Sequence, residues 1–264
     1  MRRFFDIQSY MRFLSNPTAP AKFYRTAARY VLLLLLAIPG YGQIEQSVFL
    51  DAGSSTVSDG AFLRPALTTS YRIDIFFVST GFQWTFSSAE RKIFSGAFIS
   101  AGSDFKIREI PLSADLFFLR NPFSNVMKET CFGATLKHER RYLDIHFGYH
   151  MRRYRLKVSA FDSGAPMPGS TLSLWEYRNF MYRGTLRLKE RDAPWNLSAS
   201  VTNYDYFIIQ QETNPLFNIA GCFSVSDALE IRSSLWYQGA GMMNVHANHY
   251  GFYFRTGIVW QVGY

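Results

Sequence analysis

The sequence predicts an all-β chain, a transmembrane antiparallel up-and-down β-barrel of about 12 strands, with 10 or 14 as alternatives. Two observations predict it. The first is composition: among 264 residues aromatics make up 17%, with 25 Phe and 16 Tyr, while charged residues make up 18% and mean hydropathy is only −0.08. Water-soluble domains carry about 25% charged residues. Many aromatics, few charges and average hydropathy meet where lipid-facing and lumen-facing residues alternate along a strand. The second is period-2 alternation after residue 43, with no helical period of useful length.

The last strand shows the alternation most clearly. Phe252, Phe254, Ile258, Trp260, Val262 and Tyr264 fall on one face, and Tyr253, Arg255, Gly257, Gln261 and Gly263 on the other. The same split runs through 228–239, 194–205, 142–153 and 74–87. The polar face is mostly Gly, Ser, Thr, Asn and Gln with scattered mixed charges, which suits a narrow hydrated lumen better than the water-facing side of a sandwich. Further strands are predicted at 44–52, 61–71, 92–102, 111–120, 128–138, 174–189 and 215–224, the least marked being 44–52 and 92–102. Tight connections at 71–74, 138–141, 189–194 and 224–228 then share one end, and longer ones at 53–60, 120–128, 155–173, 205–215 and 238–249 share the other. An even strand count with both termini in the periplasm puts the long connections outside.

Residues 1–42 read as a cleaved signal peptide, with Met11 as an alternative start, and residues 43–264 as a single barrel domain. Tyr30–Ile38 (YVLLLLLAI) is about half the roughly 20 apolar residues of a membrane-spanning helix, and small residues Gly40 and Gly42 precede the expected cut. This segment holds six basic residues against Asp6, so +5 of the formal +8 belongs to it. A nucleic-acid partner therefore loses its main support. Cys131 and Cys222 fall on polar faces of strands that are not neighbours and read as separate wall residues rather than a disulfide.

The terminal run GFYFRTGIVWQVGY resembles the recognition signal of bacterial outer-membrane barrels, with Ile258, Trp260, Val262 and Tyr264 in its alternating hydrophobic and terminal aromatic places. Tyr264 departs from the common terminal Phe. The resemblance implies insertion by the barrel-assembly machinery, residence in a Gram-negative outer membrane among its lipid and lipopolysaccharide, and, from the Phe/Tyr-rich strands, a barrel similar to those of the Bacteroidota. Other envelope proteins are further candidate partners.

Candidate site residues come from the polar faces. Asp144, His146, His150, Arg152, Asn179, Arg183, Arg187 and Lys189, with Glu230, Arg232 and Arg255 on later strands, offer either a charged constriction that selects solutes or a salt-bridge network that closes the lumen. His146 and His150 are four residues apart on a strand, roughly 13 Å, too far to share one metal ion. No zinc spacing, calcium loop or phosphate loop occurs, so no metal or cofactor is expected. Asp205, His246 and His249 near the outer rim could serve a lipid- or peptide-modifying enzyme, but ordinary solvated loop chemistry is the favoured reading of them. The expectation is a non-enzymatic barrel, either a small solute channel or a barrel subunit of an envelope complex. The alternatives are a closed partner-binding scaffold and a rim enzyme.

Overall fold

The chain divides into two units, Met1–Tyr41 and Gly42–Tyr264. A computed structural model describes residues 42–55, 60–87, 94–121, 127–156, 175–191, 193–208, 214–238 and 251–262, all in the second unit. Residues 1–41 of the expected leader, together with Tyr264, His246 and His249, lie outside the described residues. Twelve strands follow in order: β1 (Gln43–Ser55), β2 (Gly60–Ile73), β3 (Phe76–Ser87), β4 (Phe94–Ile107), β5 (Ile110–Asn121), β6 (Met127–Glu139), β7 (Leu143–Leu156), β8 (Trp175–Arg187), β9 (Trp195–Thr202), β10 (Leu216–Ser226), β11 (Leu229–Gln238) and β12 (Phe252–Val262).

Each strand pairs antiparallel with its sequence neighbours, and β12 returns to β1, so the sheet is a closed barrel. The seam runs from Ile44↔Val262 to Gly53↔Tyr253. Closure satisfies the edge amides and carbonyls that a lipid phase would leave without partners. Alternation then sorts the faces. Val48, Leu50, Leu116, Phe118, Phe147, Phe180, Ile219, Phe252 and Ile258 are all exposed on the outside. An apolar belt of this extent suits lipid and not water. Among the described residues no helix is long and apolar enough to cross a membrane.

The strand count matches the sequence expectation, including the two least marked strands. Several boundaries are corrected, three of them at connections. β4 and β5 run through the predicted 102–111 connection and meet in a two-residue turn, Arg108-Glu109, with positive φ at both residues (48° and 70°). Type I′ turns usually declare themselves by Asn or Gly, and this one does not. β8 ends at Arg187 and not at 189, and β9 ends at Thr202 and not at 205.

Part of the lumen is packed with apolar side chains, where the small polar residues suggested a hydrated interior. Phe49, Ala66, Phe98, Leu119, Cys131, Met181 and Val259 point inward and pack with Phe207 in one buried cluster. Phe62, Ile208, Leu216, Trp236 and Tyr253 form a second. Both cysteines are free, Cys131 buried and Cys222 partly exposed.

Candidate functional site

The site begins where β9 stops. β9 has eight residues and pairs with β8 only from Arg183↔Thr202 to Arg187↔Ser198. Asn203 ends the ladder with its side chain. Its Nδ2 donates to the Phe180 carbonyl (2.8 Å) and its Oδ1 accepts from the Tyr182 amide (3.0 Å). The side-chain amide thus stands in for the next peptide of the strand, and the backbone is released into the lumen. A tight turn follows, with the Asp205 amide donating to the Ile208 carbonyl at 2.6 Å.

Asn203–Ile208 then reaches several stretches of wall. Tyr204 OH lies 2.9 Å from His146 Nδ1, and Arg183 donates to the Tyr204 carbonyl (3.0 Å) while its guanidinium lies 4.6 Å from the Tyr204 ring centroid. Phe207 packs edge-on against Phe98, and Asn121 Nδ2 donates to its carbonyl (3.1 Å). Across the barrel, Arg255 donates to both carboxylate oxygens of Asp205 (3.0 and 2.6 Å). Asp205 is therefore a buried lumen residue, not the rim residue its sequence position suggested.

Arg255 does not serve Asp205 alone. It also donates to both oxygens of Asp51 (2.7 and 2.9 Å), and Arg64 reaches Asp51 from β2 (2.9 Å through Nε). Arg64 and Asp51 are fully buried. Two cations and two anions in one desolvated cluster neutralise one another, and the forked guanidinium suits two carboxylates better than an ammonium would.

The other sequence candidates stand around the wall on both sides of this cluster. Arg152 pairs with Glu129 (2.7 Å) in the outer half. Towards the periplasmic end Arg187 grips both oxygens of Asp144, and Lys137 meets Asp115 (3.3 Å). Glu139 receives Arg191 (2.5 Å) and lies 3.3 Å from His146 Nε2, while Glu230 pairs with Arg232. Lys189 departs from the set: it lies past the end of β8, its ammonium 3.3 Å from the centroid of the exposed Trp195 ring. His150 and Asn179 are cross-strand partners on the inner wall, and neither ring nitrogen of the buried His150 has a hydrogen-bond partner among the described residues. Ile258, Trp260 and Val262 share the outward face of β12.

Glu139, Asp144 and His146 bring ligand atoms within 4.8 Å of one another. A cation there would have to displace Arg187 and Arg191 from the two carboxylates, so these residues are already spoken for. Below the crossing segment the lumen opens to a cavity of about 860 Å³, lined by Glu45, Arg72, Phe77, Asp104, Lys137, Glu139 and Arg191 among others. Sequence reasoning missed Asp51, Arg64 and the inward course of 203–208. Alternation places a side chain inside, but says nothing of what lies across the lumen from it.

No protein-family model matches the sequence, and no curated protein matches it. Among solved structures the chain is similar to the KdgM porin, at 10% identity and a TM-score of 0.49 over 81% of this chain and 98% of that one. It is similar to the NanC porin at 10% identity and a TM-score of 0.49, over 81% of this chain and 100% of that one. It also resembles the translocator domain of the autotransporter NalP from Neisseria meningitidis, at 13% identity and a TM-score of 0.43 over 92% of this chain and 96% of that one.

Proposed function

We propose that the protein is an outer-membrane barrel that works as a gated solute channel. The observation that carries this reading is the segment Asn203–Ile208, which enters the lumen at the end of β9 and is latched to β12 by the Asp205–Arg255 pair. The periplasmic cavity supplies a polar entrance, and its mixed charges leave no strong preference for either sign of solute. Opening requires the segment to swing away from Arg255, a local rearrangement of one connection that leaves all twelve strands in place.

Planar-bilayer recording tests the reading. The wild type should show long closed periods with brief openings, and Asp205→Asn should raise the open fraction by weakening the latch. A wild type silent at every voltage would sink the channel. Full burial of Arg64, Asp51, Leu216 and Gln238 favours a second reading, a permanently closed barrel that serves as an envelope scaffold. Silence, together with a partner protein retained through mild detergent extraction, supports that one.

A further inference from the structure

Away from the crossing segment, the ion pairs of the lumen wall set one cation against one anion, from Arg152–Glu129 in the outer half to Arg232–Glu230 towards the periplasm. In the periplasmic cavity Arg72 meets Asp104, and Glu45 and Lys106 add one charge of each sign. At the crossing segment the match fails. Asn203–Ile208 and the wall it touches hold three guanidiniums, Arg64, Arg183 and Arg255, and two carboxylates, Asp51 and Asp205. Arg183 is the extra cation. It donates to the Tyr204 carbonyl (3.0 Å) and covers the Tyr204 ring, and among the described residues it meets no carboxylate. Its buried Nε has no hydrogen-bond partner there either.

Arg255 divides its donors by edge. Nε and Nη2 donate to Asp51 (2.7 and 2.9 Å), while Nη1 and Nη2 donate to Asp205 (3.0 and 2.6 Å). Asp51 belongs to the wall, on β1, and Arg64 holds it from β2 (2.9 Å). Asp205 belongs to the segment that must move if the channel is to open. When it leaves, the Nη1–Nη2 edge is vacated, and the Tyr204 carbonyl, one residue before Asp205, leaves Arg183. Two parallel N–H donors then point into the lumen in the geometry that fits one carboxylate. Arginines that line a narrow pore without fixed partners select anions.

We propose that the Nη1–Nη2 edge of Arg255, with Arg183 beside the same segment, is the selectivity site of the open channel, and that it takes a small carboxylate solute in the place of Asp205. This rests on the gated-channel reading and adds the class of solute. In the closed state the protein's own carboxylate fills the site. A solute carboxylate that reaches Arg255 therefore also competes with the latch, and the solute promotes its own passage. Chloride passes the same cations but has no second oxygen for the fork.

Planar bilayers under a potassium chloride gradient test the site, with sodium propionate added on both sides, or uncharged propionamide with matched sodium chloride. Reversal potentials of wild-type openings should show anion preference. Propionate should raise the open fraction, and propionamide should not. Arg183→Gln should lower the chloride-over-potassium permeability ratio about twofold or more, whereas Arg141→Gln at the β6–β7 turn should leave it unchanged. Asp205→Asn should reach half of its propionate response at about fivefold lower concentration, because the competing carboxylate is gone. Arg255→Lys keeps the charge and loses the fork, so it should keep the anion preference and lose the propionate response. Heat-modifiable gel migration confirms that each variant is folded; if Arg255→Lys is not, the Asp205→Asn shift decides the same point. Openings without anion preference, an equal response to propionamide, or a propionate response unchanged in the folded variants would overturn the site and leave the gate standing. A wild type silent at every voltage takes the gate and the site down together.

Discussion

Arg255 holds more of the lumen than any neighbouring residue, because it joins two carboxylates from distant parts of the chain. Removing it leaves Asp51 with Arg64 alone and takes from Asp205 its salt-bridge partner, both in a desolvated cluster. Breaking a buried pair by deleting one partner costs about 3–5 kcal/mol, because the remaining charge stays buried. Arg255→Ala should therefore lower stability in urea by about that much. The double variant Arg255→Ala/Asp205→Ala should be more stable than Arg255→Ala, since it removes one of the two stranded anions. Additive losses in the equilibrium unfolding of the set would show that Arg255 and Asp205 do not act as a pair. The strand pattern marked Arg255 as a lumen residue because β12 alternates without interruption. It did not mark Asp51 or Arg64 as its company: alternation reports a face, and these partners lie 204 and 191 positions away in sequence.

Elements were legible where the wall is two-faced, and less so where the chain turns or leaves the wall. β12, β7 and β9 each largely alternate a more exposed with a more buried residue, so period 2 found them. The β4–β5 hairpin escaped because Arg108 and Glu109 occupy positive φ without the residues that favour it. That local misfit carries a prediction. Glu109→Gly should stabilise the barrel by about 0.5–1 kcal/mol, since glycine adopts this φ without a Cβ clash. Urea midpoints should rise relative to wild type, and a fall would mean that the Glu109 side chain contributes more than its backbone strain costs. The inward course of 203–208 was illegible for a different reason. Tyr204, Phe207 and Ile208 read as strand continuation or as an outer loop, and only the pairing of Asn203 with β8 releases them inward.

At the scale of the whole barrel, the crossing segment divides the lumen into a packed outer half and an accessible periplasmic half, and the two native cysteines sample one half each. Cys131 faces inward on β6 beside Leu119 and Arg152, its pairing neighbours, and is fully buried against the apolar cluster. Cys222 faces inward on β10 between Asn196 and Arg232, four residues from the periplasmic end of its strand, and remains partly exposed. A small water-soluble maleimide added to the folded barrel should therefore label one thiol per chain. Cys222→Ser should abolish that labelling, and Cys131 should react only once urea unfolds the wall. The gate adds a second expectation: Asp205→Asn, which weakens the hold of Arg255, should let the reagent reach Cys131 in the folded state, measurably faster than in wild type. Equal labelling of both cysteines in the native wild type would mean that water passes the full height of the lumen and that Asn203–Ile208 does not close it. Labelling of Cys131 unchanged by Asp205→Asn, in a variant that also fails to conduct, would place the closure in the packed clusters around Leu216 and Tyr253 and not in the latch.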